Sequence, residues 1–195
     1  MKKLLKTIFA VGAALSLAAS ASAVAIAIGD SNDLGTINPN EPNGTEAETA
    51  HVNYLIEMAL GGSASNVQLA SDPGSQNNDY SRTMNNPLAT YTAAVFALKQ
   101  DTSSTTINLG TGGYTYLLAK YDHSGAGAEV WYIGGLTGTI SVPGSFNGYG
   151  LSHISLFTTD GSAPDEKPVP DGGTTVALLG LAFAGLSATR RFIKR

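Results

Sequence analysis

The sequence predicts a mainly β fold, an antiparallel β-sandwich or jelly roll with one N-terminal helix, flanked by a cleavable signal peptide and a C-terminal transmembrane helix. Three observations carry this. From about Val67 to Thr158, short β-branched and aromatic runs alternate with Gly, Asn, Asp and Ser, the punctuation of short antiparallel strands. One stretch ahead of them has helical periodicity. Both ends are apolar runs beside basic residues, the layout of segments read at a membrane and not packed into a core.

Taken in order, Lys2, Lys3 and Lys6 form a positive start, and Thr7 to Ala19 is uncharged and mostly apolar. Ala21-Ser22-Ala23 then offers the small residues at −3 and −1 that a signal peptidase pocket takes. Residues 1–23 therefore read as a signal peptide, with a mature chain from Val24. Cleavage after Ala27, at Ala25-Ile26-Ala27, is the less favoured alternative.

The helix is placed by Thr45-Glu46-Ala47-Glu48, which fits a capping box. Val52, Leu55, Ile56 and Ala59 follow at helical spacing, and Gly61-Gly62 supplies the stop. Its apolar stripe is expected to pack on a sandwich edge or close one end. Ser71 to Asn86, rich in Asn, Ser and Gly, reads as a loop. The expected strands are Tyr91 to Lys99, Thr105 to Leu109, Tyr114 to Tyr121, Glu129 to Ile133, Thr137 to Val142 and Leu151 to Thr158. Residues 24–163 thus form one exported domain, and Pro-rich residues 164–169 form an extended spacer.

Charge separates the ends from the middle. Residues 24–169 hold four basic side chains, Arg82, Lys99, Lys120 and Lys167, against fourteen acidic ones, a net charge of −10. Such a domain repels phosphate backbones and anionic headgroups, so nucleic acid is excluded as a partner, while cations and neutral glycans are compatible. The chain has no cysteine, hence no disulfide framework, thiolate nucleophile or thiolate metal site. A core drawn from roughly 140 residues is large enough to be stable without such staples.

The last segment has three parts: Val169-Pro170-Asp171-Gly172-Gly173, an uncharged run from Gly172 to Thr189, and a basic end at Arg190, Arg191, Lys194 and Arg195. Eighteen residues at ~1.5 Å each make a helix of roughly 27 Å, just enough to cross a hydrocarbon core. Val176 to Leu186 has no polar face, unlike a surface helix of a soluble core. The basic end stays cytoplasmic by the positive-inside rule and leaves the acidic domain outside. Pro170 biases Val169 away from helix, and Gly172 and Gly173 resist helix propagation, so the segment ahead of the span stays extended. A GPI signal normally ends in its apolar tail, without a basic cluster.

This arrangement, with Thr174, Thr175 and Leu178-Leu179-Gly180-Leu181 before Arg190-Arg191, resembles the VPDSG variety of PEP-CTERM sorting signals, with Gly172 where that variant has Ser. The resemblance implies export by a Gram-negative bacterium and processing by exosortase, an integral-membrane cysteine protease-transpeptidase. Tyr116 to Tyr121, Val130-Trp131-Tyr132 and Gly150 to Phe157 also look like stretches of exported PEP-CTERM β-domains, whose last strand often carries a Ser-His pair. That likeness implies association with an extracellular polysaccharide matrix or biofilm. Exosortase, signal peptidase and the inner membrane are the expected partners, polysaccharide a further one, and no cofactor is expected.

No catalytic motif stands out. Ser152 and His153, with Asp122 or Asp160, would sketch Ser/His/Asp chemistry, but adjacent strand residues point to opposite faces and no Gly-x-Ser-x-Gly elbow occurs. His51, His123 and His153 lack zinc spacing. Asp30, Asn32, Gly35 and Glu41 match four positions of a calcium loop, with Leu34 where an oxygen is required, and the alternative is an Asx turn. Tyr114, Tyr116, Tyr121, Trp131 and Tyr132 would form a sugar-stacking platform if they shared a solvent face, yet Trp131 and Tyr132 must point oppositely. Asn43-Gly44-Thr45 reads as the turn and cap before the helix. The expected function is a non-enzymatic surface or matrix protein, structural or adhesive; a lectin-like module and a secreted hydrolase are the alternatives.

Overall fold

The computed structural model describes residues 23–38, 44–70, 77–86, 91–101, 103–122 and 126–160. The run Tyr116–Tyr121 (β7) shows how they are organised. Tyr116 and Leu118 point to one core, and Leu117 and Ala119 to another. A strand buried on both faces must lie inside a layered structure.

In chain order, the strands are β1 (Val24–Ala25), β2 (Asp33–Asn38), β3 (Ser63–Val67), β4 (Asn78–Arg82), β5 (Val95–Asp101), β6 (Thr106–Asn108), β7, β8 (Ala128–Tyr132), β9 (Thr139–Ser141), β10 (Ser145–Phe146) and β11 (Tyr149–Thr158), with one helix α1 (Thr45–Glu57) between β2 and β3. The large sheet has eight strands in the order β10-β11-β7-β8-β2-β4-β3, with β5 also paired to β11. All its pairings are antiparallel. A three-stranded sheet, β1-β9-β6, includes one parallel pairing, Val24 opposite Ile140 and Ala25 opposite Ser141. The mainly β, antiparallel expectation with one helix holds at that level.

Two cores flank the large sheet. On one face Ile26, Ile107, Ile140 and Val142 from the small sheet and its neighbours meet Leu117, Trp131, Ile154 and Leu156. On the other, Val52, Leu55 and Ile56 of α1 meet Leu34, Ile37, Tyr80, Leu118, Val130 and Phe157. The helix therefore lies on the sheet's face, not at its edge or end as expected. Its stripe is apolar enough to cover a sheet whose strands are apolar on both sides.

Three further differences have local causes. The capping box does not form: Gly44 is the N-cap, with no side-chain cap bond, and Glu48 turns inward. The strand expected from Tyr91 begins only at Val95, because Asn53 on α1 binds both the N–H and the C=O of Ala94, at 2.6 and 3.1 Å. Those groups have no need of a ladder partner. Asn78 to Arg82, expected as loop, is β4, with Asn78, Tyr80 and Arg82 buried and Asp79 and Ser81 exposed. Polar residues hid that period-2 pattern.

The central strand β2 was not expected at all. Asp-Leu-Gly-Thr-Ile-Asn has little β propensity, and burial between β8 and β4 holds it. Gly35, at φ 134, is required there, since a Cβ would sit 2.0 Å from the Ser81 carbonyl oxygen. Among the described residues no helix is long and apolar enough to cross a membrane. The span expected over Gly172 to Thr189, the spacer at 164–169 and most of the signal peptide lie outside the described residues.

Candidate functional site

A buried polar cluster joins α1 to β11 and β5. One turn into the helix, Glu48 shares the buried face with His51, Val52 and Leu55. On β11, His153 and Ser155 are two residues apart and share the face that meets the helix. His153 Nε2 lies 3.0 Å from Glu48 Oε1, and the Ser155 hydroxyl donates to Glu48 Oε2. Lys99 on β5 donates to Oε1 at 3.0 Å. Glu48 and Ser155 are fully buried and His153 is 6% exposed.

Burial alone raises a carboxyl pKa, but the hydrogen bonds from His153, Ser155 and Lys99 outweigh it and hold Glu48 below its ordinary value. An ionised carboxylate only accepts, so Nε2 of His153 carries the proton. The order of contacts decides the chemistry. In a catalytic triad the imidazole stands between nucleophile and acid; here the carboxylate stands between hydroxyl and imidazole, and Ser155 directs its proton at Glu48. No nucleophile–base pair results. The arrangement is a clamp that fixes the helix on the sheet.

From sequence, a Ser152–His153 pair with Asp122 or Asp160 is ruled out by the opposite facing of adjacent strand residues. The structure gives His153 the carboxylate of Glu48, which it shares with Ser155, while Asp122 and Asp160 are exposed. Glu48 was assigned to a cap, although an acid three and four residues before His51 and Val52 already marked the inward face. His51 is buried, with Nδ1 2.5 Å from the Tyr80 hydroxyl, and His123 lies outside the described residues. Among the described residues no three His, Cys, Asp or Glu side chains are grouped to hold a metal ion.

The calcium positions divide. Asp30 Oδ2 accepts from Ala27 N–H at 2.8 Å, and Oδ1 accepts from Asn32 and Asp33 N–H at 2.8 and 3.0 Å. Both carboxylate oxygens of Asp30 are occupied in an Asx turn; Asn32 takes part through its backbone, and Glu41 lies outside the described residues. Below this turn, Glu129 is fully buried. Burial, then the neighbouring Asp33, pushes its carboxyl up to about 10, so it is protonated at neutral pH. Asp33 Oδ1 otherwise lacks a donor, and a protonated Glu129 supplies one.

The aromatic platform does not assemble. Trp131 is 0% exposed, and its indole N–H donates to the Ala27 carbonyl at 3.1 Å; a ring in the core offers no stacking face to a sugar. Tyr121 is buried and donates to the Pro143 carbonyl at 3.0 Å, and Tyr114 is buried as well. Tyr132 is half-buried on the opposite face, its ring 6.0 and 6.3 Å from those of Tyr116 and Tyr91. The Arg82 guanidinium, nearly fully buried, lies 4.9 Å from the Tyr91 ring centre and donates to the Leu34 carbonyl at 2.7 Å. Burial, with Tyr132 and Tyr91 nearby, pushes the Tyr116 phenol up to about 12. In the Asn43-Gly44-Thr45 turn, Asn43 is outside the described residues and Thr45 opens the helix, its carbonyl accepting from the Thr49 hydroxyl at 2.6 Å.

The sorting residues Val169, Pro170, Asp171, Gly172 and Gly173 and the basic Arg190, Arg191, Lys194 and Arg195 lie outside the described residues. The last strand among the described residues, β11, ends at Thr158, upstream of all of them. No curated protein and no solved structure matches the chain. Residues 168–192 match the VPDSG-CTERM motif. The chain thus carries a C-terminal sorting signal of the PEP-CTERM type, which implies recognition by exosortase, export and membrane-associated processing.

Proposed function

We propose that this is a non-enzymatic protein of the Gram-negative cell surface or extracellular matrix, structural or adhesive in an exopolysaccharide biofilm. In this reading the signal peptide directs translocation, and the span at Gly172 to Thr189 anchors the chain in the inner membrane. Exosortase then acts at the Val169 to Gly173 segment, leaving an acidic sandwich-type domain outside. The observation that carries it is the sorting motif at 168–192, placed after the last strand among the described residues, which ends at Thr158. Two geometries favour this reading over its alternatives. The Ser155–Glu48–His153 contacts serve a clamp, and Trp131 belongs to the core, which weakens the lectin-like alternative.

Processing is tested in the native host by changing Pro170 and Asp171 to Ala. The double variant is expected to remain full-length in the inner membrane, while the unaltered protein reaches the surface without its basic end. Mass spectrometry of surface material reads the result. A peptide containing Phe183 and Arg191, recovered from mature surface protein, would count against processing.

A further inference from the structure

The sequence offers two bonds to a signal peptidase, after Ala23 and after Ala27, since Ala21 and Ala23 or Ala25 and Ala27 both place small residues at −3 and −1. We propose that the bond hydrolysed is Ala23–Val24, because residues 24–27 are built into the folded domain. Water adds across that amide, leaving a carboxylate on Ala23 and an ammonium group on Val24. The inference rests on the export reading above, but it concerns a register which that reading does not determine.

Five contacts carry it. Val24 and Ala25 form β1, the edge strand that extends the small sheet in parallel with Ile140 and Ser141 of β9. Ile26 donates its N–H to the Ser141 carbonyl at 2.9 Å, and its side chain, 3% exposed, enters the core between the two sheets. The Ala27 carbonyl accepts the indole N–H of Trp131 at 3.1 Å. The Ala27 N–H donates to Asp30 at 2.8 Å, closing the turn that leads into β2.

A cut after Ala27 removes all five at once. It strips one strand from the small sheet, empties the place of Ile26, and leaves the Trp131 indole buried without its acceptor, the costly kind of loss. A cut after Ala23 removes none. It exposes a new α-ammonium at Val24, which is 47% exposed and so keeps its charge in water. The sequence favours the first site without a structural reason, and the role of residues 24–27 in the fold supplies one.

The test has two readouts. The full chain is exported from a Gram-negative host and the surface protein is sequenced from its N-terminus. A start at Val24 supports the assignment, and a start at Ile28 overturns it while leaving export intact. An unprocessed Met1 overturns the export reading and this one together. Separately, chains lacking residues 1–23 and residues 1–27, both keeping the native C-terminal segment, are compared by thermal unfolding in detergent. The shorter chain is expected to unfold on the order of 10 °C lower. Equal unfolding temperatures would remove the physical reason for the assignment even if sequencing found Val24.

Discussion

Replacing Glu48 by Ala withdraws the carboxylate on which His153, Ser155 and Lys99 converge and leaves those three donors without their shared acceptor. His153 and Ser155 are buried, so neither regains full hydration. Leaving those two buried donors unsatisfied costs about 1.5–2.5 kcal/mol each, about 3–5 kcal/mol together. Lys99, whose side chain is 26% exposed, swings toward water and adds little, as exposed pairs contribute about 0–1 kcal/mol. Against a typical total of about 5–15 kcal/mol, the expected loss is a large fraction of the fold's stability. At ~2–4 °C per kcal/mol for a chain of this size, the unfolding temperature falls by roughly 6–20 °C, read by circular dichroism. Glu48→Gln keeps one acceptor oxygen, and its loss is expected to be about half as large. The pH dependence has a definite sign. Because the folded pKa of Glu48 is lowered from 4.5, its contribution is present above the unfolded value and disappears as pH falls through the folded one. The acid-induced loss below about pH 4.5 should therefore be shallower in Glu48→Ala than in the parent. A drop of less than ~2 °C for Glu48→Ala, or identical acid profiles, would refute the clamp.

Glu129 has the opposite sign. Its folded pKa of about 10 stands above the ordinary 4.5, so the folded state holds the proton more tightly and stability declines as pH rises between the two values. Glu129→Gln, which keeps a donor for Asp33, is expected to match the parent near pH 5 and exceed it near pH 9; parallel profiles over that range would exclude the protonated form. Gly35→Ala places a Cβ 2.0 Å from the Ser81 carbonyl oxygen at a φ of 134, and either β2 moves off β4 or the strain remains. A loss above ~3 kcal/mol is expected in denaturant titration, and a loss below ~1 kcal/mol would mean that the strands separate easily there.

The sorting signal was legible in sequence because a membrane and its enzymes read composition, order and charge along the chain. Val169 to Gly173, an uncharged run of bilayer length and Arg190-Arg191 carry that information with no fold required. The helix and the apolar strands β7, β8 and β11 were legible for a similar reason: their burial is written as local periodicity. What only the tertiary structure decided depends on partners distant in the chain. Strand β2 exists because Gly35 lets β4 approach, and β4 exists because polar Asn78 and Arg82 find burial beside it. Trp131 became core, not a binding face, because the Ala27 carbonyl, 104 residues away, receives its indole proton. His153 became a clamp residue because Glu48, 105 residues earlier, turns inward from the helix it was expected to cap. Strand periodicity fixes that neighbouring side chains oppose each other, but which side is covered, and by what, follows only when the layers close.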